Sequence, residues 1–214
     1  FDLTGQVALI TGASKGMGKS MAMALAEHGS KVVISSRKLD QCEETAAELN
    51  AACGEERAIA IACNIGYKDQ LQALVDETRE RLGPIDTLIA NAGVNPFYGP
   101  MSEIPDEAFD KTMNSNLRSN HWLCQMVAPD MLEKGRGAIM ITASVGAFGP
   151  SDTLGTYNIS KMADIALVRN LAMEWGPKGI RVNALCPGLI RTDFAKALWD
   201  NPEAAQRVTE QTPL

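Results

Sequence analysis

Aromatic side chains are scarce in this chain of 214 residues: five Phe, three Tyr and three Trp, 5% of the total. Its core must therefore be built from aliphatic side chains. Only two histidines, His28 and His121, are present, and the five cysteines (Cys42, Cys53, Cys63, Cys124, Cys186) include no Cys-x-x-Cys pair. That inventory offers no metal site and no disulfide framework, so the thiols read as reduced and mostly buried, as in a cytoplasmic protein. Lysine and arginine never cluster into a run, and the net charge is -6, which argues against a nucleic-acid partner. No apolar run approaches the ~20 residues of a membrane span, and no signal-peptide pattern opens the chain, so a membrane partner is not expected. Internal repeats, low-complexity tracts and linkers are also missing.

What is present is ordinary globular material, 45% hydrophobic and 21% charged, enough for one substantial core. Short β-branched runs alternate with longer helical patterns. Strands are expected at Val7 to Thr11, Lys31 to Ser36, Ala58 to Cys63, Thr87 to Ala90, Ala138 to Ala143 and Arg181 to Cys186. Helices are expected from Gly16 to His28, with Met17, Met21, Ala24 and Leu25 on the apolar stripe, from Leu39 to Ala52, Lys68 to Leu82, Asp106 to Lys134 with a kink at Pro129, and Thr156 to Trp175. This alternation implies one α/β domain over residues 1–214: a Rossmann-type doubly wound parallel sheet with helices on both faces. Ligands of such sheets bind beyond the carboxyl ends of the strands, where the strand order reverses.

The loops at those ends carry the chemistry. Between the first strand and first helix lies Thr11-Gly12-Ala13-Ser14-Lys15-Gly16-Met17-Gly18, whose glycines let backbone approach a pyrophosphate at a helix N-terminus. Its Gly-x-x-x-Gly-x-Gly spacing differs from the usual dinucleotide fingerprint, and a tight strand-to-helix turn is the bland alternative. After the second strand comes Ser35-Ser36-Arg37-Lys38, with no carboxylate to take a ribose 2′-hydroxyl; Arg37, with Lys15, suits a 2′-phosphate, so NADP(H) is expected ahead of NAD(H). Tyr157 and Lys161 stand four residues apart, on one helix face, where the ammonium is expected to lower the phenol pKa from ~10 and make a usable general acid/base.

In this order the motifs resemble the short-chain dehydrogenases/reductases of the classical type, over nearly the whole chain. Thr11 to Gly18 is similar to that family's glycine-rich loop, and Asn91-Ala92-Gly93, preceded by Ala90, to its Asn-Asn-Ala-Gly turn. The resemblance implies a catalytic tetrad of Asn116, Ser144, Tyr157 and Lys161. Tyr157 would donate the proton, Ser144 would polarise the carbonyl, Lys161 would hold the nicotinamide ribose, and Asn116 would link Lys161 to solvent through a water. It also implies cofactor contacts from Gly12, Ser14, Lys15, Gly16, Met17, Gly18, Ser36, Arg37, Asn64, Ile65, Asn91, Ala92, Gly93, Pro187, Gly188, Ile190 and Thr192; the family commonly has an aspartate where Asn64 stands.

Within the family, Asn95-Pro96-Phe97-Tyr98 and the segment Pro187 to Thr192 look most like the carbonyl-reductase branch that includes dehydrogenase/reductase member 4. The resemblance implies a further helix and a seventh strand beyond Leu214, expected to be either disordered or outside this sequence. Family members' helices corresponding to 106–134 and 156–175 pair across two-fold axes, so a homotetramer or dimer is expected. Asn95, Phe97, Phe148, Phe194 and Trp199 fall in the expected substrate loops, with 189–214 as a lid over an apolar pocket for hydrophobic ketones or aldehydes. Two other readings compete: a 3-oxoacyl-thioester reductase, and a non-catalytic NADP-binding regulator.

Overall fold

The computed structural model describes residues 1–195 together with 200, 202, 206, 209 and 210. Its sheet contains β1 (Val7–Thr11), β2 (Lys31–Ser36), β3 (Ala58–Ala62), β4 (Thr87–Ala90), β5 (Gly137–Thr142) and β6 (Ile180–Leu185), all parallel, in the order β3-β2-β1-β4-β5-β6. Every residue of β1 is buried, because helices cover both faces of the centre of the sheet and no polar alternation is tolerated there. The order reverses between β1 and β4, the expected Rossmann-type arrangement. Register fixes where the crevice opens: Thr11 lies opposite both Ser35 and Ala90, and Ala90 opposite Ile141, so β1, β2, β4 and β5 end within one residue of the same level.

On one face α1 (Gly16–Glu27) and α2 (Leu39–Cys53) cover Ala8, Ile10, Val32 and Ile34. The other face carries α3 (Lys68–Leu82), α5 (Ser119–Lys134) and α6 (Gly155–Trp175), which bury Leu71, Leu74, Leu123, Val127, Met131, Val168 and Leu171 against Leu9, Leu88 and Ile139. Each such aliphatic side chain contributes about 1.5–3 kcal/mol on burial. Helix α4 (Asp106–Met113) and a five-residue π turn, Asn114–Arg118, precede α5.

Three expectations need correction. The stripe of α1 is Gly18, Ala22 and Ala26, with Met21 and Leu25 at its margin, while Ala24 is exposed; small side chains let the helix axis lie close to the sheet. Residues 106–134 are not one kinked helix. The helical period continues through the break, but the π turn divides it, and Pro129 lies inside α5, where Arg79 donates to the Met126 carbonyl at 2.6 Å in the turn the proline interrupts. Strands β3, β5 and β6 also finish one residue earlier than expected, although hydrogen bonds from Cys63 to Ser36 and from Ala143 to Leu185 continue past the ladders. Leu198 and Trp199, expected in the lid, lie outside the described residues.

Candidate active site

The glycine-rich loop and the β4 loop are locked together by side chains of two strand ends. Thr11 Oγ1 accepts from the backbone N–H groups of Asn91 and Ala92, and the Asn91 amide donates to the carbonyls of Thr11 (3.2 Å) and Gly12 (3.1 Å) while accepting from Thr142 Oγ1 (3.2 Å). Gly12 has φ +65°, and a Cβ there would lie 2.9 Å from Ala92 Cα; at Gly18 it would lie 2.3 Å from the Gly12 carbonyl oxygen. Both positions require glycine. Helix α1 starts at this junction with no side-chain cap and no acidic residue in its first turn, so its free N–H groups point at the crevice uncompensated.

The four expected catalytic residues converge from three different elements. Ser144 follows β5; its Oγ accepts from the Gly146 N–H, and it faces the phenol of Tyr157, in the first turn of α6, closely enough to favour the ionised form. One turn on, Lys161 is 3% exposed, with Nζ 5.9 Å from the Tyr157 ring centre. Asn116, fully buried in the π turn, clamps Val94 with two hydrogen bonds (Oδ1 accepting at 2.8 Å, Nδ2 donating at 2.9 Å) and donates to Ser160 Oγ at 3.0 Å. Its amide thus holds the β4 loop against α6. The direct partners of Lys161 are instead the Thr142 carbonyl oxygen at 2.7 Å and Asp164 at 3.1 Å.

The electrostatics correct one expectation. The Tyr157 phenol is pushed up from its ordinary value, first by burial; the Ser144 hydrogen bond opposes this, and the charge of Asp164 adds to it. The expected downward shift assumed a lysine standing alone, whereas Lys161 shares its charge with a carboxylate one turn away.

A family profile described as short chain dehydrogenase matches residues 6–203. The chain belongs to the short-chain dehydrogenase family. It is 37% identical over 207 residues to dehydrogenase/reductase SDR family member 4 of Bos taurus, covering 96% of this chain and 73% of the relative. Among solved structures, a gluconate 5-dehydrogenase from Burkholderia cenocepacia, in complex with NADP and tartrate, superposes with a TM-score of 0.92 at 30% identity, over 99% of this chain and 82% of that one. A 7α-hydroxysteroid dehydrogenase complexed with NADH and 7-oxo glycochenodeoxycholic acid gives 0.90 at 36% identity, over 96% and 79%.

The remaining expected site residues of this short-chain dehydrogenase fall around the same crevice or at its rim. Ser14, Lys15, Gly16 and Met17 line the start of α1, and Gly16 faces Thr192, whose Cγ2 would lie 3.2 Å from an added Cβ. Lys15 is ion-paired with Asp193 at 2.8 Å, both well exposed. Ser36 Oγ contacts Cys42 Sγ at 3.1 Å, and Arg37 is exposed just beyond β2. Asn64 is committed to a local turn, accepting from the Gly66 N–H at 3.1 Å, and Ile65 packs on the core. Gly93 leaves a gap that a Cβ would fill, 3.4 Å from Asn116 Oδ1 and 3.7 Å from Lys161 Nζ. Beyond it, Pro187, Gly188 and Ile190 form the loop after β6, with Val145 N–H donating to the Pro187 carbonyl. An uncapped helix N-terminus joined through glycines to a lysine-lined gap is a donor set that suits the phosphates and sugar hydroxyls of a dinucleotide.

Of the expected substrate residues, Phe194 reaches the phenol, its ring centre 6.2 Å from that of Tyr157. Phe148 is exposed near Ser144, Phe97 folds back over Gly99, and Asn95 is half-buried. Sequence reasoning missed Asn120, Thr142 and Asp164, and gave Thr11 no role beyond opening the glycine-rich loop. Thr142 ends a strand and Asp164 lies three residues after a lysine, patterns that are common without function. Among the described residues, no cluster of His, Cys, Asp or Glu could hold a metal ion, and no helix is long and apolar enough to cross a membrane.

Proposed function

We propose that the protein is an NADP(H)-dependent carbonyl reductase or alcohol dehydrogenase that interconverts hydrophobic ketones or aldehydes and their alcohols. The observation that carries this reading is the convergence of Ser144, Tyr157 and Lys161 at the mouth of the crevice, with Lys161 Nζ 5.9 Å from the Tyr157 ring centre. The bound nicotinamide would supply or accept a hydride at the substrate carbon. On the oxygen side, Ser144 holds the carbonyl oxygen and Tyr157 gives up its proton as negative charge grows there. In the reverse direction the phenolate takes the hydroxyl proton. Burial of Tyr157 keeps the phenol protonated at neutral pH, which suits a proton donor.

NADP(H) is favoured by Arg37 beyond β2, by Lys15, and by the lack of a carboxylate at that strand end; the NADP complex of the Burkholderia relative is in keeping with it. Phe148 and Phe194, both exposed beside the tetrad, favour apolar substrates, and the 7-oxo glycochenodeoxycholic acid in the hydroxysteroid dehydrogenase complex is in keeping with a bulky carbonyl substrate. The gluconate dehydrogenase relative points the other way, towards polar substrates, and makes the substrate panel decisive. With NADPH and a homologous series of alkyl phenyl ketones, kcat/KM should rise several-fold per added methylene, since each buried methylene is worth about 0.8 kcal/mol. A flat or falling series, with gluconate-like substrates turned over faster, would reject the apolar pocket. Cytoplasmic residence and a homotetramer or dimer complete the proposal.

A further inference from the structure

Asp164 occupies a position where a carboxylate is not expected. The buried residues of α6 run Thr156, Ser160, Lys161, Asp164, Ile165, Val168, Leu171 and Trp175, so Asp164 sits on the stripe that continues as core. Its side chain is completely buried. Acidic residues are almost never found so unless they are paired, and here the pairing is specific. Oδ2 accepts from Lys161 Nζ at 3.1 Å, and Oδ1 accepts from Asn120 Nδ2 at 2.9 Å. Both partners are donors without acceptor capacity at those atoms, so the hydrogen-bond pattern matches the ionised carboxylate; burial pushes the Asp164 carboxyl up from its ordinary value, and the Lys161 charge with the Asn120 and Lys161 hydrogen bonds opposes that. Asn120 is itself fixed from α5 by a second donation, to the Asn116 carbonyl at 2.5 Å. A continuous chain therefore runs from Asn116 through Asn120 and Asp164 to Lys161, and ends on the Thr142 carbonyl. Of the three N–H groups of the ammonium, two are used inside the protein, and one remains for the gap above Gly93.

We infer that Asp164 is the internal counter-ion of Lys161 and a positioning residue of the proposed reaction: by neutralising the ammonium beneath Tyr157, it moves to more alkaline pH the point at which the phenol passes from proton donor to proton acceptor. The inference rests on Tyr157 being the proton-transferring group. Among the described residues, the groups facing the couple from neighbouring elements leave it as the local source of charge. Helix α5 presents Asn120 and the Cys124 thiol, which burial, with Asp164 adding, pushes up to about 12 and so keeps neutral. β5 presents the Thr142 carbonyl, the β4 loop and π turn present Gly93 and Asn116, and Ser144 and Phe194 face the phenol. Opposite charges within an ion pair cancel at a distance, so a nearby phenol loses the stabilisation of its anion that a lone lysine would give. The upward influence of Asp164 on both Tyr157 and Cys124 has the sign this requires.

The test is a titration of Tyr157 that does not depend on turnover. Tyrosinate absorbance is followed against pH in the parent full chain, in Asp164→Asn and in Asp164→Leu, each trace corrected by its Tyr157→Phe counterpart to remove Tyr67 and Tyr98. Both Asp164 variants should titrate about one pH unit or more below the parent, roughly a tenfold change in the ionisation constant. The rising limb of alcohol oxidation should move down with it. The leucine variant guards against an asparagine that misfolds, since it restores an apolar residue to the stripe. Folded variants whose Tyr157 titrates within about 0.3 unit of the parent would overturn the inference and leave Asp164 a packing residue. So would a tyrosine titration that moved while the oxidation limb stayed fixed. If the parent turned over no carbonyl or alcohol, yet the tyrosinate shift appeared, the counter-ion would stand and the proposed function would fall.

Discussion

Asn91 is the side chain whose loss should do the most damage at a distance from the chemistry. Its amide makes three hydrogen bonds that tie the ends of β1, β4 and β5 together: to the Thr11 and Gly12 carbonyls at 3.2 and 3.1 Å, and from Thr142 Oγ1 at 3.2 Å. These are long contacts at a half-buried site, so each is assigned about 0.5–1 kcal/mol, and Asn91→Ala should cost about 1.5–3 kcal/mol. For a chain of this size that corresponds to a Tm lower by roughly 3–12 °C. Asn91→Asp is the sharper probe because it is nearly isosteric. A carboxylate is acceptor-only and would face two carbonyl oxygens, so its folded pKa should rise above the unfolded ~3.9. A group with a raised folded pKa loses stability as pH rises through that value. The aspartate variant should therefore melt closest to the parent below pH ~4 and fall progressively behind it towards pH 7. Thermal unfolding by circular dichroism at several pH values checks both claims. An Asn91→Asp protein melting within about 1 °C of the parent at pH 7 would refute the assignment of that amide.

Two further outcomes are expected. Arg37→Ala should weaken NADPH by about 1.5–3 kcal/mol, the scale for a hydrogen bond to a charged group, and leave NADH little changed; isothermal titration with both cofactors reads this, and equal losses would show that Arg37 does not contact the 2′-phosphate. Sedimentation at micromolar concentration should find dimers or tetramers, because α5 and α6 are long and the proposed assembly pairs them; a monomer alone would contradict that part of the proposal.

The fold was legible because β-branched runs and helical periods alternate strictly, and the crevice followed from the rule for strand ends. The glycine loop was legible too, and the structure supplies its reason: Gly12 and Gly18 have no room for a Cβ. What the sequence hid depends on three-dimensional neighbours. Ala22 and Ala24 are the same residue type on opposite sides of α1, and only closeness to the sheet decides which side is buried. The π turn adds no residue type that marks it, yet it is what turns Asn116 towards Val94. Asp164, three residues beyond Lys161, has the spacing of a solvated surface pair, and its complete burial comes from α5 lying across it with Asn120. Burial of the phenol, with the charge of Asp164 adding to it, reversed the expected direction of the Tyr157 shift.

The central claim is that Tyr157 transfers a proton while hydride passes to the substrate carbon. It is tested most directly with reduced NADP carrying deuterium at both nicotinamide C4 positions and an alkyl phenyl ketone, in the parent chain and in Tyr157→Phe, with mass spectrometry of the alcohol and cofactor affinity measured in parallel. The account predicts one deuterium at the carbinol carbon per turnover, and in Tyr157→Phe a rate lower by at least ~100-fold with cofactor affinity nearly intact. Turnover in Tyr157→Phe within a few-fold of the parent, or a product without deuterium at that carbon, would contradict it.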